Sequence, residues 1–260
     1  METSRLSVPT VPLSRNLRQA LRLARDLGFH AVELDARTGL DPTQVTQTGL
    51  RQIRKWLGDE GLVISGIAFP TRSGYGDAER LEGRIAATKA ALQLAYDLGA
   101  RFVFNHVGEI PASVESAEWQ LLVDVLTDIG TWSQHVGGTL CVEAGRAAPA
   151  DLARLIAALP EGSLACDIVT GSLVVHGHAP AEAVATLGEH VAAVHATDAV
   201  AGPFAGRGRA VILGTGQVDF ATVFAALEEQ AYHGWIGLDP VEPREACEEM
   251  AEAVRFLRAL

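Results

Sequence analysis

Four short apolar runs in this chain each end in a side chain that can bind a metal or move a proton. They are Thr139-Leu-Cys-Val-Glu143, Leu164-Ala-Cys-Asp167, Val191-Ala-Ala-Val-His195 and Trp235-Ile-Gly-Leu-Asp239. A single acid at a strand end is more often a helix cap or a loop acceptor than a ligand. Four in succession, each closing an apolar run, are harder to attribute to capping. Together they form a hard, oxygen-rich set of three carboxylates and one imidazole. That set suits Mn2+, Mg2+ or Co2+ better than a thiolate-rich structural zinc site, with Zn2+ still allowed. Such an ion would polarise a hydroxy-carbonyl ligand, and a neighbouring carboxylate would then take a proton from it.

These residues share a site only if the strands carrying them are parallel neighbours. The chain alternates strand-like and helix-like segments along its length. Strands are expected at 5–9, 29–34, 62–69, 101–105, 139–142, 163–166, 191–194 and 235–238. Between them lie segments with apolar residues at helical spacing, such as Leu17, Ala20, Leu21, Ala24 and Leu27, closed by Gly28. A long helix is expected from Asp77 to Leu98, and the glycine-rich stretch 202–216 reads as a loop. Strict strand–helix alternation implies a parallel sheet with right-handed crossovers. Eight such units in 260 residues predict one (β/α)8 TIM barrel over residues 1–260, with the chemistry at the carboxyl ends of the strands.

The rest of the sequence narrows the function. A formal net charge of −11 disfavours nucleic acid as a partner. No apolar stretch reaches the length of a membrane span, and the amino-terminal residues lack the apolar region of a signal peptide, so a cytoplasmic location is expected. Cys141, Cys166 and Cys247 lack metal-type spacing and read as free thiols, the first two buried. The two lysines, Lys55 and Lys89, fall on expected helices, which disfavours Schiff-base chemistry. His106, just past the fourth strand, is a candidate substrate contact or extra ligand, a plain loop histidine being the alternative. Glu33 and Asp35 end the second strand, and one of the two is expected to face inward. Glu242 could stand in for Asp239.

Several motifs in order resemble the sugar phosphate isomerase/epimerase family of xylose isomerase-like barrels. They are Leu27-Gly-Phe-His-Ala-Val-Glu-Leu34, Leu98-Gly-Ala-Arg-Phe-Val103, Val194-His-Ala-Thr-Asp198, Leu213-Gly-Thr-Gly-Gln-Val-Asp-Phe220 and Ala231-Tyr-His-Gly-Trp-Ile236. The resemblance implies a divalent metal on Glu143, Asp167, His195 and Asp239, with Glu143 and Asp239 as the acid/base pair. It also implies that Arg207 or Arg209 contacts substrate and that the chain forms a homodimer. The expected activity is isomerisation or epimerisation of a small sugar, polyol or hydroxy-ketone.

Two positions depart from the family pattern. Asp239 stands where a glutamate is usual and is one methylene shorter; a shift of ~1 Å at a reacting group can cost on the order of a hundredfold in rate. Thr170 stands where a histidine that helps hold a substrate hydroxyl is usual. These departures motivate an alternative, a sugar-binding barrel that has lost its usual acid/base pair. An abasic-site endonuclease, which shares this barrel and has His106 as its best support, is the weaker third reading.

Overall fold

Strand and helix alternate as the apolar periodicity requires, and the strands close on themselves. In the computed structural model, which describes residues 5–260, the barrel strands are β1 (Leu6–Pro9), β2 (Ala31–Asp35), β3 (Val63–Ala68), β4 (Phe102–Asn105), β5 (Thr139–Ala144), β6 (Leu164–Val169), β7 (Val191–His195) and β10 (Trp235–Gly237). Their order around the closed barrel is β1-β10-β7-β6-β5-β4-β3-β2, and every neighbouring pair is parallel. This is the expected (β/α)8 TIM barrel.

Helices α2 (Leu17–Asp26), α3 (Gln47–Glu60), α4 (Leu81–Leu98), α5 (Ala117–Val136), α6 (Pro149–Ala157), α8 (Pro180–Leu187), α9 (Phe220–Glu229) and α10 (Ala246–Ala259) make the outer layer. Two short helices, α1 (Thr10–Leu13) and α7 (Thr170–Val175), sit just past β1 and β6. Side-chain caps start several helices: Asn16, Thr46, Ser116 and Asp219 each accept a backbone N–H three residues on. The helix expected from Asp77 starts instead at Leu81. The Asp77 carboxylate accepts the Glu79 N–H in a turn, and Arg80 takes a left-handed conformation (φ 54°) that breaks the helix.

Alternation along each strand divides the core in two. Val142, Ile168 and Val194 join helix residues such as Leu122, Leu152 and Leu187 in one continuous cluster. Cys141, Ala165 and Ala193 form a smaller cluster inside the barrel, packed with Phe102, Phe104 and Ala192. β5 and β6 run two and three residues further than expected, because the ladder continues through Glu143↔Asp167 and Ala144↔Ile168. Glu143 and Asp167 are therefore strand residues with fixed neighbours.

Two irregularities lie beside the chemistry-bearing positions. The β2–β3 register shifts between Val32 and Glu33, so that Ser65 is skipped, and the β6–β7 register shifts between Cys166 and Asp167, so that Ala192 is skipped. Such bulges re-aim side chains. The stretch after β7, expected to be a loop, contains an antiparallel hairpin of β8 (Asp198–Ala201) and β9 (Gly208–Val211). Its glycines hid two four-residue strands too short to register as a pattern.

Candidate metal centre at the barrel mouth

His195, the last residue of β7, is the hub of the mouth. It is 8% exposed. Its Nδ1 lies 2.7 Å from Asp167 Oδ2 and its Nε2 lies 3.0 Å from Glu33 Oε2. The ring is edge-on to Phe104, with centroids 5.2 Å apart and planes at 87°. Two glycines make room for this stack. A Cβ at Gly237 would lie 2.5 Å from His195 Cδ2, and one at Gly66 would lie 2.2 Å from the Phe104 ring. Glu143 is the register partner of Asp167, and its Oε1 accepts a 2.6 Å bond from the Ser172 hydroxyl on α7.

The electrostatics follow from burying several carboxyl groups around one ring. Burial alone would lower the His195 pKa. The negative charges of Asp167 and Asp239, together with the bonds to Asp167 and Glu33, outweigh it and hold the imidazole well above its ordinary value. Burial pushes the Glu33 carboxyl up, against the pull of His195, and pushes Asp239 up in the same way. Asp167 Oδ1 is buried and has no hydrogen-bond partner. Three carboxyl groups, those of Asp167, Glu33 and Asp239, thus act on one imidazole, and one Asp167 oxygen is left bare, which is costly unless something compensates it. That donor chemistry fits a divalent ion. Among the described residues, however, no group of three or more His, Cys, Asp or Glu is arranged as a ready-made ion cage.

The family model of the xylose isomerase-like TIM barrel matches residues 21–260. The chain belongs to that family. No curated protein matches the sequence. Among solved structures, a xylose isomerase domain protein from Planctomyces limnophilus is 22% identical, with TM-score 0.86 over 98% of this chain and 95% of that one. A D-psicose 3-epimerase, solved in the presence of D-fructose, is 15% identical with TM-score 0.77, over 98% of both chains. A xylose isomerase-like TIM barrel protein from Mycobacterium smegmatis, in complex with magnesium, is 18% identical with TM-score 0.74, over 99% of this chain and 97% of that one. At these identities the likeness speaks to the fold.

Within this xylose isomerase-like barrel the remaining expected residues fall in different places. Asp239 follows β10 and is near enough for its charge to act on both His195 and Glu33. Thr170 is fully buried at the start of α7. Its hydroxyl donates to the Thr197 carbonyl and accepts the Thr197 N–H, so it braces the end of β7 and has no free face for a substrate. His106 Nε2 lies 2.7 Å from the Thr71 carbonyl, and its Nδ1 is buried without a partner. Arg207 and Arg209 are exposed on the β8–β9 hairpin. Glu242 is exposed on the loop after β10.

Three residues of the mouth carry roles that the motifs did not assign. Glu33 was a candidate only for facing inward. It does so, while Asp35 accepts the Arg37 and Thr38 N–H groups in its own turn. Alternation did not separate the two, since residues two apart share a face; the turn did. Asp198 takes four backbone N–H groups, from Ala199, Gly214, Gly216 and Val218, and so pins the Gly-Thr-Gly loop beneath the hairpin. Glu249, on α10, accepts the Val241 and Glu242 N–H groups and fixes the loop just beyond Asp239. A motif search sees Asp198 but not its partners; nothing local marks Glu249.

Proposed function

We propose that this barrel is a divalent-metal-dependent isomerase or epimerase of a small sugar, polyol or hydroxy-ketone. The observation that carries this reading is the buried Asp167–His195 pair with its bare Asp167 Oδ1, set among carboxyl groups from other strands of one mouth. Glu143, Asp167, His195 and Asp239 would hold the ion. A bound Mn2+, Mg2+ or Co2+ would polarise a substrate carbonyl and make the adjacent C–H more acidic. Glu143 and Asp239 would move the proton at that carbon, one removing it and the other returning it. The Ser172 hydroxyl keeps one Glu143 oxygen in place and leaves the other to act. Phe104 and the small residues Cys141, Ala165 and Ala193 pack together as an apolar cluster inside the barrel.

The test is a Mn2+ titration of wild type and Glu143→Ala, followed by hydrogen exchange of a sugar panel in deuterium oxide. Stoichiometric binding, weakened in Glu143→Ala, with metal-dependent exchange at a carbon beside a carbonyl supports the proposal. Absence of Mn2+ binding at millimolar concentration overturns it.

A second reading is a sugar-binding barrel without turnover. The shorter arm of Asp239 and the engagement of Thr170 with backbone favour it. Sugar binding with no exchange of carbon-bound hydrogen would support it, and Glu143-dependent turnover would end it.

A further inference from the structure

We infer that Glu33 is a positioning residue for His195: it accepts the Nε2–H bond, sets the tautomer and rotation of the ring, and leaves Nδ1 to face the ion. This rests on the metal reading proposed above. The 3.0 Å bond comes from β2, whereas His195 is on β7, so the contact spans the interior of the barrel. The two nitrogens of an imidazole point in divergent directions. An ion on the Asp167 side, at Nδ1, therefore cannot also be reached through Nε2, and Glu33 is left as the partner behind the ring. A ligating histidine usually gives its second N–H to such an acceptor, which raises its basicity and locks its orientation.

Three further observations show the arrangement is built. The β2–β3 register shift falls immediately before Glu33. The ring edge rests on Phe104. Gly237 and Gly66 carry no Cβ where one would collide with His195 or Phe104. Asp167, by contrast, keeps a bare oxygen, as a ligand waiting on an ion would. Glu33 thus has a role different from Asp167 on β6, although both bond the imidazole, at 3.0 and 2.7 Å.

The experiment uses the full chain and Mn2+ alone as the probe, in wild type, Glu33→Ala and Glu33→Gln. Free Mn2+ is counted by electron paramagnetic resonance. Long-range proton–nitrogen NMR reads the His195 ring in the Mg2+-loaded proteins. Glu33→Ala is expected to weaken Mn2+ binding roughly 10- to 100-fold and to lose the slowly exchanging Nε2 proton. Glu33→Gln keeps an acceptor oxygen, so it should retain the Nε2 proton and lose less affinity. Wild-type binding with both variants within twofold overturns this inference and leaves the metal reading intact, as does a wild-type ring carrying its proton on Nδ1. Absence of binding in wild type overturns the metal reading and this inference with it. If Glu33→Ala does not fold by circular dichroism, Glu33→Gln decides: unchanged affinity overturns the inference, and a several-fold loss with the Nε2 proton retained supports it.

Discussion

At the mouth, each ring nitrogen of His195 meets a carboxylate, and the ring plane is fixed by Phe104 and by the missing side chain of Gly237. The glycine is thereby a requirement of the site. Gly237→Ala puts a methyl group into the ring. It should cost about 1–3 kcal/mol of stability, the usual penalty for overpacking, and weaken Mn2+ binding by displacing His195 from Glu33. Urea unfolding and a Mn2+ titration check both parts; a variant as stable as wild type would show that the ring can yield. Glu143, Asp167, His195 and Asp239 were all legible as candidates, because each closes an apolar run. Glu33 was legible only as one of two acids near a strand end. Its partner lies 162 residues away, and a bond over that distance leaves no periodic trace.

Between elements, two buried carboxylates act on loops rather than on ligands. Asp198 collects N–H groups from Gly214, Gly216 and Val218, and so ties the segment before α9 to the start of the hairpin. Glu249 does the same for the segment between β10 and α10. Asp198→Asn would turn an amide NH2 towards these donors. It should destabilise the protein by roughly 1–3 kcal/mol, the cost of unsatisfied buried donors, while leaving Mn2+ stoichiometry unchanged. Denaturant titration with a metal count tests this, and a lost metal would mean that Asp198 acts on the site directly. The order of strands and helices was readable from periodicity alone. The hairpin was not, since β8 and β9 are short and flanked by glycine; nor were the extensions of β5 and β6, which depend on neighbours across the sheet.

For the whole molecule, a buried polar network ties the carboxyl end of β4 to the segment after β3 and to α4. Tyr75, fully buried, shares its hydroxyl with Thr88 and receives the Asn105 amide. Asn105 in turn accepts the Thr71 and His106 N–H groups. Burial pushes the Tyr75 phenol up to about 12, against about 10 when unfolded. A raised folded-state value means the neutral phenol stabilises the fold fully below pH ~10, and that contribution is lost as pH climbs to ~12. The two-unit difference corresponds to on the order of 2–3 kcal/mol. Tyr75→Phe should therefore lose less stability than wild type over that window, measured by urea unfolding at successive pH values. Parallel slopes would exclude Tyr75 as the source. The Glu33–His195 bond has a different consequence at this scale. It joins the second strand to the seventh, and contacts so distant along the chain are made late, after shorter loops have closed. The mouth is therefore among the last parts of the molecule to come together during folding. A chain that stops before β7 holds no imidazole for Glu33, so ion capture would mark barrel closure and not merely the presence of the ligands.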